Sequence, residues 1–272
     1  MIPVPLVCPV CRHLTGGDLH VRTLETFGGL LRCGCGATFP VIDGVPLVLR
    51  DVDEWLRVEG AEALRRADLP EDVAARVTTG MGGAAARNAS LLAVYRKSRE
   101  GALQDWLRTR VSALEGLVLE MGAGLGACAR TDVVALDSNL AMLRHHPGVR
   151  ICGDAADPPF LPASFDAVVL PNLLDSTTNP ALVLAQADAL LRPGGQLVVT
   201  CAYAFHDDIT PRDRRFTPAE LTAALDGRAP LQNFRLDHHV VEEKDPLAWP
   251  IALSDRLTQV HAAHALISVK ST

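Results

Sequence analysis

The stretch that decides the fold is VLEMGAGLGACARTDVVALD, residues 118–137. It contains a short apolar run, three glycines at alternate positions and a second apolar run that ends in Asp137. Short apolar runs beside glycine are typical of buried strands, and glycine lets a ligand approach the backbone closely. A carboxylate at the end of the second strand can accept hydrogen bonds from both hydroxyls of a ribose. The stretch therefore predicts a strand, a turn, a helix and a second strand around a nucleotide-type cofactor.

The glycines alone do not identify that cofactor. Gly122, Gly124 and Ala127 also fit the dinucleotide-binding pattern G-x-G-x-x-G/A. Glu120 distinguishes the two cases, because a carboxylate just before the glycines suits a cationic amino group and would repel a pyrophosphate. A cofactor with a cationic amino group is therefore favoured.

Two later segments follow in an order that is specific to one family. They are VRICGDAADPPFLPASFDAVVL at 149–170 and LLRPGGQLVVT at 190–200. With these segments, residues 90–272 resemble the class I S-adenosylmethionine (SAM)-dependent methyltransferases, particularly the branch of ubiquinone and menaquinone biosynthesis. The resemblance implies an α/β fold with a Rossmann-like seven-stranded sheet, an enzymatic activity and SAM as cofactor.

The resemblance also implies which residues contact SAM. Glu120 and the glycine turn would face the methionine part, Asp137 the ribose, and Asp154 with Ala155 the adenine edge. The family more often has Asp at position 120, and Glu keeps the charge, so binding is expected to survive. The full set of predicted cofactor-binding residues is Glu120, Gly122, Gly124, Gly126, Asp137, Ser138, Asp154, Ala155 and Pro171.

Candidates for acceptor binding lie at the carboxyl ends of later predicted strands, where ligands of doubly wound sheets bind. Asn172 and Asp175 follow the fourth strand, and Tyr203 follows the fifth. Tyr95 is the fourth acceptor-binding candidate. It lies on an apolar stripe that predicts one helix over 90–115 beside the cofactor, so it would either contact the bound ligands or be a core residue.

Methyl transfer from SAM mainly requires alignment of the acceptor and exclusion of water, so few catalytic residues are obligatory. If the acceptor is a hydroxyl, His206 is the candidate general base, since an imidazole has an ordinary pKa of about 6.5. Asp207 would orient the imidazole of His206, or would simply be a solvent-exposed residue of the loop.

Four of the seven cysteines fall within residues 8–35. Cys8 and Cys11 are separated by two residues, and Cys33 and Cys35 by one. Crowded thiols of odd total number favour a metal over disulfides. Segment 31–49 resembles the zinc ribbons that activate tRNA methyltransferases and those of ribosomal RNA guanine methyltransferases. We predict a structural zinc bound by the four thiolates, remote from the methyl-transfer centre.

Only one residue separates Cys33 from Cys35, so the identity of one zinc ligand stays open. His13 or His20 could replace a cysteine as that ligand. Free thiols in a small β-domain are the other alternative. The predicted organisation is a zinc ribbon at 1–50, a linker or mobile lid at 51–89 with a helical stretch at 55–67, and the methyltransferase domain at 90–272. Strands at 234–241 and 262–269 are predicted to complete its sheet.

Residues 157–160 read Asp-Pro-Pro-Phe and are similar to the D/N-P-P-Y/F signature of amino-group methyltransferases. That signature follows the fourth strand. Here it precedes the predicted fourth strand at 165–170, so we do not assign amino-group chemistry to it.

The composition bears on the class of partner. A formal net charge of −6 gives no general attraction to nucleic acid, so a small organic acceptor is favoured over ribosomal or transfer RNA. A non-catalytic interaction module is the third alternative. No apolar run approaches the about 18 residues of a membrane span, and the N-terminus lacks the features of a signal peptide. A cytoplasmic protein of open oligomeric state is expected.

Overall fold

A computed structural model describes the chain in five ranges, which are 2–15, 18–64, 92–96, 100–127 and 130–272. Most of the predicted linker or lid, from residue 65 onward to 89, lies outside these ranges. Among the residues described, no helix is long and apolar enough to cross a membrane.

Six short strands form the N-terminal region. They are β1 (His13–Thr15), β2 (Asp18–His20), β3 (Glu25–Phe27), β4 (Leu30–Arg32), β5 (Thr38–Ile42) and β6 (Val45–Pro46). β1 and β2 pair as one hairpin, and β3 to β6 form a small antiparallel sheet in chain order.

Seven strands form the main sheet. They are β7 (Val118–Met121), β8 (Val134–Asp137), β9 (Val149–Cys152), β10 (Phe165–Pro171), β11 (Leu191–Cys201), β12 (His238–Ser254) and β13 (Leu257–Lys270). The spatial order is β12-β13-β11-β10-β7-β8-β9. β7 to β11 pair in parallel, and β13 is antiparallel to both neighbours. The predicted seven-stranded α/β sheet is confirmed.

Five α-helices lie in the described ranges and surround this sheet. They are α1 (Val52–Leu64), α2 (Ala102–Ser112), α3 (Leu140–Leu143), α4 (Pro180–Leu190) and α5 (Pro218–Leu225), with 3₁₀ turns at Leu174–Ser176 and Arg212–Arg214 and a helical segment at 92–96. α2 buries Leu103, Leu107 and Val111, spaced four residues apart, against one face of the sheet. α4 and α5 pack on the opposite face.

The helix predicted over 90–115 is not continuous, so that prediction is wrong. Residues 92–96 are helical, and α2 starts after Gly101, whose φ is 121°. A Cβ on Gly101 would lie 2.5 Å from the ring of Pro250 on β12. The close approach of β12 to the backbone of Gly101 interrupts the helix. The spacing of apolar residues in the sequence could not predict this contact.

The closing hairpin is much longer than predicted, because β12 extends to Ser254 and β13 starts at Leu257. The stretch VEEKDP at 241–246 lacks the alternation of apolar and polar residues that marks a half-buried strand. The pairing also shifts register between Lys244 and Leu247. The extension brings Trp249 towards α2 and the centre of the molecule.

The N-terminal strands lie against the edge of the main sheet beside β9. The Val48 amide donates a hydrogen bond of 2.8 Å to the carbonyl of Cys152. Val45 and Leu47 are fully buried in a cluster that includes Ala123 of the glycine-rich turn. The N-terminal region therefore shares a core with that turn.

The segment Asp157–Phe160 is the second contact with the N-terminal region. Arg12 donates to the Pro158 carbonyl at 2.7 Å and forms an ion pair with Asp157, which also pairs with Arg50 at 3.0 Å. Phe160 is buried and forms a bridge with Leu6. These polar groups are engaged within the protein and attach the segment to the N-terminal region.

Candidate functional site

A cavity of about 560 Å³ is lined by residues at the carboxyl ends of β7, β8 and β10. The strand order reverses between β7 and β10, and ligands of doubly wound sheets bind at such a switch point. Its lining residues are Gly122 to Ala127, Asp137 to Asn139, Pro171 to Leu173, Tyr95, Gln104, Leu107, Met142, Ser176, Ile209 and Trp249.

The glycine-rich turn needs glycine for its backbone and for its close contacts. Gly122, Gly124 and Gly126 have φ values of 68°, 53° and 87°, a region that other residues rarely adopt. A Cβ on Gly122 would lie 2.6 Å from Leu173, and one on Gly126 would lie 3.0 Å from the ring of His146. Gly124 meets nothing closer than 3.8 Å, so its backbone faces open space in the cavity wall.

Asp137, at the end of β8, is hydrogen-bonded both to the glycine-rich turn and to the residue that precedes α3. One of its carboxylate oxygens accepts from the Gly124 amide and the other from the Asn139 amide, both at 2.8 Å. Burial raises the pKa of Asp137, and the two amide hydrogen bonds lower it, with a net rise. Each carboxylate oxygen has a further lone pair, so Asp137 can still accept from a ligand hydroxyl.

Glu120 lies behind the turn and does not line the cavity. One oxygen accepts from the Ala127 amide at 2.7 Å, and the other lies 3.1 Å from His146 Nε2. Glu120 and His146 are 3% and 4% exposed. Nothing in the local sequence marks His146 as a site residue, because its partner Glu120 lies 26 positions away.

Asp154 and Ala155 are not brought together with the other predicted cofactor residues, since neither lines the cavity. The Asp154 carboxylate is exposed and accepts from the Ala156 amide at 2.8 Å. Ser138 and Pro171 do line the cavity. The adenine contact of Asp154 and Ala155 stays a prediction.

Two of the predicted acceptor-binding residues line the cavity. Asn172 has a φ of 49°, and its amide donates to the Thr200 carbonyl at 3.0 Å. A non-glycine residue in this region stores strain, which is common in functional sites. The pKa of Tyr95 is raised by burial and by the carboxylates of Asp175 and Asp137. Tyr95 and Asn172 therefore sit where an acceptor could reach them.

The other two predicted acceptor-binding residues do not line the cavity. Asp175 is buried and accepts from the Ala204 amide at 2.9 Å, while burial raises its pKa. The Tyr203 hydroxyl lies 2.7 Å from His264 Nδ1, and the ring packs against Phe216. These two side chains are engaged within the protein.

The predicted catalytic residues also lie away from the cavity. His206 is exposed and is not among the lining residues. The exposed Asp207 pairs with Arg212 at 2.7 Å and with Arg215 at 2.5 Å, and these hydrogen bonds lower its pKa. Asp207 is therefore committed to arginines, and the structure offers no geometric support for His206 as a base.

Trp249 is a cavity residue that the sequence analysis missed. Its side chain is 7% exposed, and its indole nitrogen has no hydrogen-bond partner among the described residues. It lies on the part of β12 that was not predicted as a strand. Ile209, Gln104 and Met142 complete the lining from three further segments.

The four N-terminal cysteines converge, with all sulfurs within 4.8 Å of one another. Cys8 and Cys35 sulfurs are 3.8 Å apart, and those of Cys11 and Cys33 are 3.6 Å apart. Zinc–sulfur bonds of about 2.3 Å in a tetrahedron give sulfur separations of about 3.8 Å. The cluster can therefore hold a metal ion.

The short Cys33–Cys35 gap does not keep either thiol out of the cluster. The Cys35 amide donates to Cys33 Sγ at 3.5 Å. Burial raises the pKa of Cys8 to about 12, whereas the Ala37 amide lowers that of Cys35 to about 7. His13 and His20 stack on each other with ring centroids 5.0 Å apart and are not members of the cluster.

Comparison with known proteins gives one family match. Residues 113–199 match the family model described as a methyltransferase domain. The chain is 32% identical over 165 residues to a demethylmenaquinone methyltransferase of Paenarthrobacter aurescens, covering 55% of this chain and 64% of the relative. It is 39% identical over 114 residues to a demethylmenaquinone methyltransferase of Renibacterium salmoninarum, covering 36% and 48%. The matches thus span less than two thirds of these relatives.

Among solved structures, the chain is similar to a SAM-dependent methyltransferase of Thermotoga maritima. The sequence identity is 16%, and the TM-score is 0.45. The similarity covers 64% of this chain and 91% of the other.

Proposed function

We propose that this chain, whose residues 113–199 form a methyltransferase domain, transfers the methyl group of SAM to a small organic molecule. The observation that carries the proposal is the cavity at the switch point of the sheet, which is lined by Asp137 and by apolar residues that include Trp249. Both curated relatives are named demethylmenaquinone methyltransferases, which supports a small acceptor.

The residues present fit SAM. Asp137 can accept hydrogen bonds from a ribose, and the open backbone at Gly124 leaves room for the cofactor beside the turn. Bound SAM supplies a methyl group on a positively charged sulfur. With the ribose at Asp137, the turn between β7 and β8 would hold the amino-acid part, since its Gly124 amide donates to Asp137.

The acceptor would bind against the apolar residues of the cavity. Leu107, Leu173, Ile209 and Trp249 are among the lining residues and would shield the acceptor from water. Exclusion of water and alignment are what methyl transfer from a sulfonium requires of the protein. Tyr95 and Asn172 are the polar side chains that we propose orient the acceptor. The acceptor atom can be oxygen, nitrogen or carbon.

We assign zinc to the cysteine cluster, in a structural role. Four thiolates complete a tetrahedron and leave no open position for catalysis. RNA as acceptor is disfavoured by the net charge of −6, and a cytoplasmic location stays a prediction from the sequence.

Calorimetric titration with S-adenosylhomocysteine and with NAD tests the cofactor. We expect S-adenosylhomocysteine to bind and NAD not to bind, and the reverse would refute the proposal. Incubation with methyl-labelled SAM, a small-molecule extract and total RNA tests the acceptor. Label should enter the small-molecule fraction. Label in RNA, with RNA binding that weakens steeply as salt rises, would overturn the small-molecule assignment.

A further inference from the structure

His146 is a buried histidine whose two ring nitrogens both have partners. It follows α3 and is 4% exposed. The Gly148 amide lies 2.9 Å from Nδ1, and a carboxylate oxygen of Glu120 lies 3.1 Å from Nε2. The ring also fills the space beside Gly126, where a Cβ would lie 3.0 Å from it.

These partners determine which nitrogen carries the proton. A backbone amide can only donate, so Nδ1 of His146 accepts from Gly148. The proton of the neutral ring is therefore on Nε2, and Nε2 donates to Glu120. The pair consists of a neutral imidazole and a carboxylate, and it places one negative charge behind the glycine-rich turn.

Glu120 connects His146 to the cavity wall. Its second oxygen accepts from the Ala127 amide at 2.7 Å, and Ala127 ends the turn that lines the cavity. A carboxylate with one oxygen held by His146 cannot rotate away from that amide. Without the imidazole, Glu120 would be a buried charge that keeps the Ala127 amide as its partner among the described residues, and such charges are costly.

We propose that His146 is a positioning residue, which acts through Glu120 to hold the turn in the shape that binds the amino-acid part of SAM. The inference rests on the proposed function. Asp137 accepts from the Gly124 amide at 2.8 Å, and the turn and Trp249 line the same cavity. A cofactor with its ribose at Asp137 would therefore place its amino-acid part beside the turn.

The test compares two ligands of the full-length, metal-loaded protein. S-adenosylhomocysteine has the amino-acid part, and 5′-methylthioadenosine lacks it. We expect His146→Leu to weaken S-adenosylhomocysteine binding about tenfold, and methylthioadenosine binding less than about threefold. His146→Gln, which keeps one donor and one acceptor, should restore most of the affinity. His145→Leu, at the exposed neighbouring position, is the matched control and should change neither affinity.

Each result decides one question. Equal weakening of both ligands by His146→Leu, or unchanged binding of both, would overturn the positioning role. If His146→Leu does not fold, Glu120→Gln replaces it, because it keeps the shape and removes the charge, and the same selective loss is expected. Wild-type protein that does not bind S-adenosylhomocysteine would refute the proposed function itself, whatever the variants do.

Discussion

Asp137 is the residue on which the cofactor proposal depends most, because it touches both the turn and the cavity. Asp137→Asn replaces one acceptor oxygen by a donor that faces an amide of Gly124 or Asn139. We expect the affinity for S-adenosylhomocysteine to fall by about tenfold or more, as measured by calorimetry. Asp18→Asn, on the exposed strand β2 and outside the cavity lining, should leave it within about twofold. An equal loss in both variants would contradict the role of Asp137.

The raised pKa of Asp137 adds a pH dependence. As the pH falls through that raised pKa, the carboxyl takes up a proton and loses acceptor capacity. Cofactor affinity should therefore start to fall at a pH above the ordinary Asp value of about 3.9. The Asp137→Asn variant should lack this fall of cofactor affinity at low pH. A pH profile identical to that of the wild type would contradict the role of Asp137 in cofactor binding.

At the scale of elements, Gly101 separates α2 from the preceding helical segment and allows β12 to approach. Gly101→Ala forces a side chain into a φ of 121° and against Pro250. We expect the free energy of unfolding to fall by about 2 to 4 kcal/mol in denaturant titration. Gly60→Ala in α1, where nothing lies within 4 Å, should raise it by about 0.5 to 1 kcal/mol. Similar shifts in both variants would refute the role of Gly101.

Asp188 ties α4 to β12 and β13. Its carboxylate lies 2.9 Å from Nε2 of the buried His238 and 3.2 Å from Lys270. Burial raises the pKa of Asp188, but the His238 hydrogen bond and Lys270 outweigh it, so the net shift is downward. Asp188→Asn should lower the free energy of unfolding by about 1 to 3 kcal/mol.

The sign of the pH effect follows from the lowered pKa of Asp188. The stabilisation is present above the unfolded value of about 3.9 and is lost as the pH falls through the folded value. Asp188→Asn should thus differ most from wild type near neutral pH and least in acid. The exposed Asp105→Asn, whose carboxylate pairs with Arg108, should change stability by less than about 0.5 kcal/mol. An equal effect of both variants would contradict the prediction.

At the scale of the whole molecule, the N-terminal region and the cofactor cavity are packed together. Leu47 shares a buried cluster with Ala123 of the turn, and Trp55 Nε1 donates to the Ser138 carbonyl at 3.0 Å. Loss of a metal that stabilises the N-terminal region should therefore also weaken cofactor binding in the cavity.

Cys11→Ser tests that coupling. We expect about one metal ion per chain in wild type by elemental analysis, and loss of it in the variant. The affinity for S-adenosylhomocysteine should fall by about threefold to tenfold, since the turn loses support from behind. Zinc added back to chelated wild type should restore the affinity. Metal-free wild type, or unchanged affinity in the variant, would contradict the prediction.

The order of the strands was predictable from the sequence: two strands within 118–137, one at 165–170 and one within 190–200. The glycine-rich turn inside 118–137 was predictable as well. These features depend on local causes, namely buried apolar runs and glycine, so they are visible in the chain. The start of α5 has a cause of the same local kind, a capping box in which Thr217 and Glu220 bond each other's amides. The convergence of the four N-terminal cysteines was predicted from their spacing together with the zinc-ribbon resemblance, whereas the contacts of Cys8 with Cys35 and of Cys11 with Cys33 depend on the fold.

Only the tertiary structure decided which side chains reach the cavity. His206 and Asp175 lie at the expected sheet edge but outside the lining, whereas Trp249 enters from a hairpin whose polar stretch hid its length. His146 meets Glu120 because α3 ends beside the turn, a contact between residues 26 positions apart. Periodicity reports which face of an element is buried, and it carries no information about what that face meets.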